Sequence, residues 1–207
     1  MRPFRREEGV LIPLDRADVD TDQIIPKQFL KRIERTGYGE FLFNDWRNDA
    51  SGTTNPDFVF NQPAYADGTV LVAGRNFGCG SSREHAVWAL ADHGIRAVIS
   101  ESFADIFRTN ALGSGLLPVT PPDHEVRALL DLAAEQPGIP VTVDLEAQTV
   151  TCGDLRFPFR MDPFERRRLL EGLDDIGLTL EHESEITAFE QRRPTWMPDL
   201  TRTAEPA

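Results

Sequence analysis

The stretch TVLVAGRNFGCGSSREHAVWALADHGIRAVIS, residues 69–100, contains the alternation of elements that decides the fold. It begins with TVLVAGR, an apolar run of strand length that ends at a glycine, which is typical of a strand buried on both faces. A helix is predicted from Arg83 to His93, with Gly94 as its C-terminal stop, and RAVIS follows as another buried strand. A strand, a helix and a strand at this spacing predict parallel pairing with a right-handed crossover.

The flanking segments extend this unit into an α/β fold. Downstream, SFADIFRTNALGSG is predicted to be a helix, LLPV a third strand and PPDHEVRALLDLAAEQPG a helix. Two alternating runs around residues 146–148 predict an antiparallel hairpin, and residues 162–193 are predicted to be helical in two pieces interrupted near Gly177. Upstream, GVLIPL predicts a strand that leads into an Asp-rich loop and a helix.

Length and charge limit the class of protein. A chain of 207 residues with 40% hydrophobic content is long enough for one large domain, expected over residues 1–195, with a loose C-terminal tail at residues 196–207. The 34 acidic residues outnumber the 22 basic ones and give a net charge of −12. Because such a field repels polyphosphates, we expect no nucleic-acid partner.

The sequence also argues against a membrane protein and against a metal site of its own. No apolar run approaches the roughly 18 residues of a membrane span, and MRPFRREEGV lacks the apolar centre of a signal peptide. We therefore expect a cytoplasmic protein with no membrane partner. Cys79 and Cys152 are far apart and lack the close spacing of zinc or iron-sulfur ligands, so we expect no cofactor or metal in this chain.

The glycine-rich loop before the helix has two interpretations. In the structural one, Ser81 and Glu84 form a capping box at a helix that begins near Ser82, which contributes about 1 kcal/mol and no chemistry. In the functional one, the helix N-terminus, with roughly half a positive charge, and the fork of Arg83 attract an anion. Spacing alone does not decide between them.

Known anion-binding and nucleophile motifs do not match the loop. No lysine follows the glycines as in a phosphate-binding P-loop, Arg83 stands where a dinucleotide motif needs its third glycine, and the GxSxG nucleophile elbow is absent. A small carboxylate therefore fits better than a phosphate. A serine hydroxyl beside an arginine at a helix N-terminus could act as an alkoxide base, and a Ser81–His85 pair is the alternative.

Several motifs in the right order resemble one family. NFGCGSSREHAVWAL, VDTDQIIPKQFLKRIERTG, SFADIF, GLLPV and GLDDIGLTL closely resemble the small subunits of 3-isopropylmalate dehydratase from leucine biosynthesis, over about Asp18 to Trp196. The resemblance implies the swivelling domain of the aconitase superfamily. That domain is a three-layer β/β/α fold with a central parallel sheet and a smaller antiparallel sheet.

The resemblance also implies a reaction shared between two chains. In that family a large subunit carries the iron-sulfur cluster, and the pocket for a small dicarboxylate substrate is completed by the small subunit. The enzyme is a hydro-lyase that interconverts 2-isopropylmalate and 3-isopropylmalate through isopropylmaleate. Sister hydro-lyases acting on homoaconitate or on methylmalate and citraconate are the nearest alternatives, and GYGEFLFNDW resembles the bacterial leucine-pathway type. A non-catalytic anion-binding or regulatory module is the alternative of another class.

The family motif assigns roles to residues 80–85 of this chain. By that match Ser81 is the alkoxide base, Arg83 binds a substrate carboxylate, and Ser82 assists through its hydroxyl or its N–H group. The Asp-rich segment could be a solvated turn, but in the family it leads into the loop over the substrate's variable side chain. The expected pocket neighbours there are Thr21, Asp22 and Lys27. We expect no catalytic role for Cys79.

Overall fold

The structure is a computed structural model that describes residues 1–31, 36–194 and 196. Within these residues, seven strands form one sheet in the order β4-β3-β2-β1-β5-β6-β7. The strands are β1 (Arg6–Leu14), β2 (Gly68–Ala73), β3 (Ala97–Ser100), β4 (Leu117–Val119), β5 (Pro140–Asp144), β6 (Thr149–Cys152) and β7 (Leu155–Pro158). The helices are α1 (Thr21–Ile24), α2 (Asn44–Arg47), α3 (Glu84–His93), α4 (Asp105–Ser114), α5 (Asp123–Glu135), α6 (Pro163–Glu171), α7 (Asp175–Leu180) and α8 (Glu183–Gln191). Short 3-10 turns occupy Lys27–Lys31, Gly39–Phe41, Val59–Asn61 and Pro63–Tyr65.

Strand β1 joins a parallel part and an antiparallel part of the sheet. Its second half, from Val10 to Leu14, pairs in parallel with β2, and its first half, from Arg6 to Val10, pairs antiparallel with β5. The register shifts between Val10 and Leu11, where the pairing partner changes. The predicted α/β class is confirmed, and the predicted central parallel sheet and smaller antiparallel sheet are both present, but as two parts of one sheet. The two parts are continuous because β1, with nine residues, is long enough to pair with β2 through one half and with β5 through the other.

Two apolar clusters cover the two faces of the parallel part. Successive residues of a strand point to opposite faces, so Leu71 belongs to the cluster beneath α3 and α4, whereas Val70 belongs to the cluster beneath α5. Strands β2, β3 and β4 are buried along almost their whole length, as expected for parallel strands covered by helices. Helix α3 ends at Gly94, whose φ of +107° confirms the predicted stop.

The predicted hairpin around residues 146–148 is confirmed by β5 and β6, which pair antiparallel, but two details beyond it were wrong. The run predicted as the second strand of a hairpin folds back at Gly153, whose φ is +54°, so β6 and β7 form a further antiparallel pair. The predicted break near Gly177 is also wrong, because Gly177 lies inside the first turn of α7. Its N–H group donates to the carboxylate of Asp174, which caps that helix. The helical segment instead breaks at Gly172, whose φ is +71°, and again at residues 181–182 between α7 and α8.

The chain divides into two compact units, Met1–Gly172 and Leu173–Ala207. The proposal that residues 1–195 form one functional domain stays a prediction. The predicted tail at residues 196–207 lies outside the described residues except for Trp196. None of the helices in the described part of the chain is long and apolar enough to cross a membrane.

Candidate active site

The loops that follow β1 and β2 are joined by main-chain hydrogen bonds at the carboxyl ends of these strands. The N–H group of Gly74 donates to the carbonyl of Arg16 at 3.0 Å, and that of Gly78 donates to the carbonyl of Val19 at 2.8 Å. In open α/β sheets, ligands bind at the carboxyl ends of the parallel strands. The glycine-rich loop and the Asp-rich loop, which are distant in sequence, therefore form one candidate site.

An aromatic floor supports the glycine-rich loop. The rings of Phe77 and Phe107 pack edge to face, with their centroids 5.2 Å apart, and Phe103 stacks on Phe107. Gly78 has a φ of +77°, and a Cβ atom at this position would lie 2.2 Å from Cγ of Phe107. Only glycine fits here without displacing the ring. The packing of Gly78 on this aromatic floor therefore helps to fix the backbone position of the loop that continues to Ser81 and Ser82.

The Asp-rich segment ends in a short capped helix rather than a free turn. Asp20 accepts a hydrogen bond from the N–H group of Gln23 at 2.8 Å, and the side chain of Gln23 accepts one from the N–H group of Asp20 at 3.0 Å. This reciprocal pair is a capping box at the start of α1. Thr21, which is buried, donates from its hydroxyl to the carbonyl of Ser81 at 3.1 Å. The loop conformation at Ser81 therefore depends on α1.

Arg83, Asp22 and Lys27 form one charged group. The guanidinium of Arg83 donates to one carboxylate oxygen of Asp22, and the ammonium of Lys27 lies 3.2 Å from the other. The Arg83 side chain is 19% exposed, whereas that of Lys27 is 71% exposed. Because two positive groups share one carboxylate, one positive charge remains in this trio. A small anion that reaches the loop is attracted to it.

The start of α3 differs from the prediction. The helix begins at Glu84 with Arg83 at the N-cap position, and no side chain caps it, so the predicted Ser81–Glu84 capping box is wrong. Instead, the N–H group of Arg83 donates to the carbonyl of Ser81 at 2.9 Å and closes a turn. Ser81 and Ser82 are both exposed, and no hydrogen bond of the Ser81 hydroxyl is seen within the described residues. The Ser81 hydroxyl therefore does not cap α3 and is available for a substrate.

This position also changes the electrostatic argument for Ser81. The field of a helix terminus falls off within the first turn, and Ser81 lies before the N-cap residue of α3. The N-cap of α3 is therefore two residues further along the chain than the predicted capping box placed it. Arg83 is two residues from Ser81 in sequence and 19% exposed, and a positive charge near a hydroxyl favours its alkoxide form.

His85 packs against aromatic rings. Its ring lies 5.3 Å from that of Tyr38 and 4.7 Å from that of Trp88. Burial lowers the pKa of His85, Glu84 raises it, and the nearby Arg83 lowers it further. Within the described part of the chain, no hydrogen bond joins His85 to Ser81. The contacts favour a packing role over the alternative of a serine-histidine pair.

The two cysteines occupy unreactive positions. Burial raises the pKa of the Cys79 thiol, and the negative charges of Asp20 and Asp18 raise it further. Burial in β6 raises the pKa of Cys152 to about 11. A thiol is a nucleophile and a metal ligand as its thiolate, so raised pKa values oppose both uses. Across residues 1–31, 36–194 and 196, no group of three or more His, Cys, Asp or Glu side chains could hold a metal ion.

The structure adds two features that the sequence analysis did not assign. The side chain of Asn76 donates to the carboxylate of Asp18 at 2.8 Å, and its N–H group donates to the hydroxyl of Ser102 at 2.8 Å. These bonds connect the loops after β1, β2 and β3. The capping box of α1 had a sequence signal, because Asp20 and Gln23 have the spacing of such a box. No local signal marked the partners of Asn76.

The fold and site place the chain in a known class. A family model described as the aconitase C-terminal domain matches residues 1–124, which include both loops of the site. A second model, described as the C-terminal domain of the 3-isopropylmalate dehydratase small subunit, matches residues 175–203. The class is therefore the aconitase superfamily.

Individual relatives narrow this class to one family. The chain is 57% identical over 198 residues to a 3-isopropylmalate dehydratase small subunit of Frankia alni, covering 96% of this chain and 98% of the relative. It is 54% identical, with the same coverage, to a protein of that name from Rubrobacter xylanophilus. The crystal structure of a 3-isopropylmalate dehydratase from Methanocaldococcus jannaschii superposes with a TM-score of 0.65 at 28% identity, covering 88% of this chain and 98% of that one. The chain belongs to the family of 3-isopropylmalate dehydratase small subunits.

Proposed function

We propose that this chain is the small subunit of a hydro-lyase that interconverts 2-isopropylmalate and 3-isopropylmalate through isopropylmaleate, in leucine biosynthesis. The observation that carries the proposal is the exposed hydroxyl of Ser81 beside an arginine that Asp22 holds in place. A base beside a carboxylate-binding group is what abstraction of a proton next to a carboxylate needs. The names of the relatives from Frankia alni and Rubrobacter xylanophilus support the choice of substrate.

Arg83 binds one carboxylate of the substrate. Its planar fork has more donors than the contact with Asp22 uses, so free N–H groups remain for a carboxylate. Partial shielding from solvent strengthens such a bond, since the surrounding water screens it less. The same positive charge stabilises the negative charge that develops on the substrate during proton removal.

Ser81 acts as the base for the carbon-bound proton. As an alkoxide, its Oγ takes the proton from the carbon next to the carboxylate, and the electron pair of that C–H bond becomes the new double bond. The substrate hydroxyl leaves from the neighbouring carbon as hydroxide, and a proton from solvent or from an acid group of the large subunit converts it to water. In the return direction the protonated Oγ gives its proton back to carbon, water adds its oxygen to the other carbon, and the proton lost from that water returns to the same solvent or large-subunit group. Arg83 favours the alkoxide because opposite charges attract.

The other predicted pocket residues have different positions relative to the loop. Ser82 and Lys27 are exposed next to Ser81 and Arg83, and we propose that they contact the substrate directly. The observed partners of Thr21 and Asp22 are the Ser81 carbonyl and the two cations. These contacts favour an indirect role for both residues, in holding the groups that touch the substrate.

The proposal includes a large subunit with an iron-sulfur cluster as the partner. This chain has two cysteines, Cys79 and Cys152, that lack the close spacing of cluster ligands, so its residues fit a cluster held by the partner. Such a cluster supplies a Lewis acid for the substrate hydroxyl when bound. The exposed loop of Ser81 is open for a second protein to cover. The cytoplasmic location stays a prediction.

A reconstitution assay tests the function. The purified chain is mixed with the large subunit under reducing, anaerobic conditions, and turnover is measured on 2-isopropylmalate, homoaconitate and methylmalate. We expect turnover of 2-isopropylmalate by the mixture and by neither chain alone. Preference for a shorter or longer analogue would assign the chain to a sister hydro-lyase. Complete inactivity of an assembled complex on all three would favour the non-catalytic anion-binding module.

A further inference from the structure

Exposed apolar side chains are concentrated in the C-terminal helical segment. Within the described residues, seven large hydrophobic side chains are exposed, and five of them follow Gly172. Four lie on α7 and α8, and they are 36–71% exposed. We refer to these four as the apolar face: Ile176, Leu180, Ile186 and Phe189. Large apolar side chains exposed together in one short segment indicate an interaction site.

The spacing of these residues places them in pairs on each helix. Ile176 and Leu180 are four residues apart on α7, and Ile186 and Phe189 are three residues apart on α8, so the members of each pair are neighbours on the helix surface. Neither helix contains a buried residue. Helices of six and nine residues are too short to be stable by themselves and depend on packing of an apolar face. The four exposed side chains of the apolar face are therefore the groups through which packing can stabilise these helices.

Charge favours a different protein over a second copy as the cover. Residues 173–194 contain six acidic residues and two arginines, a formal charge of −4. Glu185 lies one turn before Phe189, and Glu190 lies one turn after Ile186, so acidic side chains flank the apolar face. The whole chain has a net charge of −12, which makes a second copy an unfavourable neighbour. A protein with an apolar groove bordered by lysines or arginines fits both features.

We infer that the apolar face of α7 and α8 docks into a groove with a basic border on the large subunit and anchors the two chains to each other. The inference rests on the proposed function, which supplies this partner. The face contains no residue assigned to substrate or proton transfer. Its loss is therefore expected to weaken assembly without changing the chemistry of the assembled enzyme.

The test uses the full chain with all four residues of the apolar face replaced, in the variant I176S/L180S/I186S/F189S. Binding to the large subunit is measured by calorimetry, and activity is measured while the large subunit is titrated. We expect the Kd and the half-saturating concentration of large subunit to rise at least about tenfold, with kcat at saturation unchanged. Phe164→Ser is the matched control, because Phe164 is 54% exposed on α6, close to the 58% of Phe189. It should bind like the parent chain.

Hydrogen exchange gives a readout that does not depend on these substitutions. In the parent chain, amides of α7 and α8 should exchange rapidly when the chain is alone and become protected when the large subunit is added. Unchanged exchange on binding would overturn the inference, as would equal binding by the fourfold variant. A dimer of the isolated chain that the fourfold variant dissolves, seen by sedimentation, would overturn it in favour of self-association.

The outcomes separate the inference from the function. If the parent complex binds and turns over 2-isopropylmalate but the fourfold variant binds equally well, only the inference fails. If the parent chain binds the large subunit through this face but the complex is inactive, only the function fails. If the parent chain does not bind the large subunit, both fail.

Discussion

Arg83 and Asp22 are 61 positions apart in sequence, yet the guanidinium of one donates a hydrogen bond to the carboxylate of the other. The contact connects the first residue before α3 to the second residue of α1. Asp22 also holds Lys27 through its second oxygen, so one carboxylate orients two cations. The carboxylate of Asp22 restricts the conformations of the Arg83 side chain before the substrate binds. Such preorganisation is what a substrate-binding arginine needs.

Replacing Asp22 by asparagine should weaken substrate binding more than it slows the chemical step. The amide keeps the size of the side chain but loses the charge that holds Arg83 and Lys27. We expect KM to rise roughly fivefold, about 1 kcal/mol, since the pair is partly screened by solvent. Steady-state kinetics of the reconstituted enzyme measure this. Asp22→Glu, which retains the charge, should recover part of the loss, and an unchanged KM in Asp22→Asn would contradict the role.

Removal of the Ser81 hydroxyl should abolish turnover and leave assembly intact. Ser81→Ala deletes the proposed base, and loss of a general base costs about 100- to 10,000-fold in kcat. The side chain at this position is exposed, so we expect unchanged stability and unchanged binding of the large subunit. Ser82→Ala in the same loop is the matched control and should lose less than about tenfold. Substantial dehydration by Ser81→Ala would remove the base assignment.

A methyl group at Gly78 should destabilise the loop and its aromatic floor. Its φ of +77° disfavours alanine, and the added Cβ would overlap Phe107. We expect Gly78→Ala to lower the free energy of unfolding by about 2–5 kcal/mol, from the backbone and the overpacking together. Gly52→Ala separates the two causes, because Gly52 has a φ of +83° with no atom within 4 Å of the new Cβ. Urea unfolding should show a loss of only about 1–2 kcal/mol there; equal losses would exclude the steric part.

Stability should fall as the pH is lowered below the ordinary pKa of histidine. Burial lowers the pKa of His93, Arg47 lowers it further, and the carbonyl of Gly39 raises it. The unfolded chain, with an ordinary pKa of about 6.5, then binds more protons than the folded chain in the window just below that value. The contribution of His93 to the free energy of unfolding is therefore at its maximum above about pH 6.5. It decreases as the pH falls towards the lowered pKa of the folded state.

Urea unfolding at about pH 7.5 and about pH 5.5 measures this slope. His93→Gln should reduce the difference in unfolding free energy between the two pH values. His124→Gln, at a histidine that is 78% exposed, is the matched substitution, and His93→Gln should reduce the difference more than it does. If His93→Gln leaves the slope as steep as in the parent chain, the histidine is not its source.

Local sequence patterns predicted the parallel strands and one end of α3, but not its start. The strands β2, β3 and β4 and the helix stop at Gly94 were predicted because each follows from a local run of apolar residues or a local glycine. The start of α3 was misplaced because the spacing of Ser81 and Glu84 matches a capping box, whereas the loop is held instead by Thr21 and by the turn at Arg83. A distant contact overrode a local preference there.

The sequence by itself determined the alternation of strands and helices from β2 to α5, the residue types of the glycine-rich loop and the family to which they belong, because these depend on neighbouring residues and on whole motifs. Only the tertiary structure decided that β1 pairs with β2 through one half and with β5 through the other, and that Asp22 lies against Arg83. Such contacts join segments separated by many residues. They form when buried strands and helices pack together, and no local pattern specifies the partner.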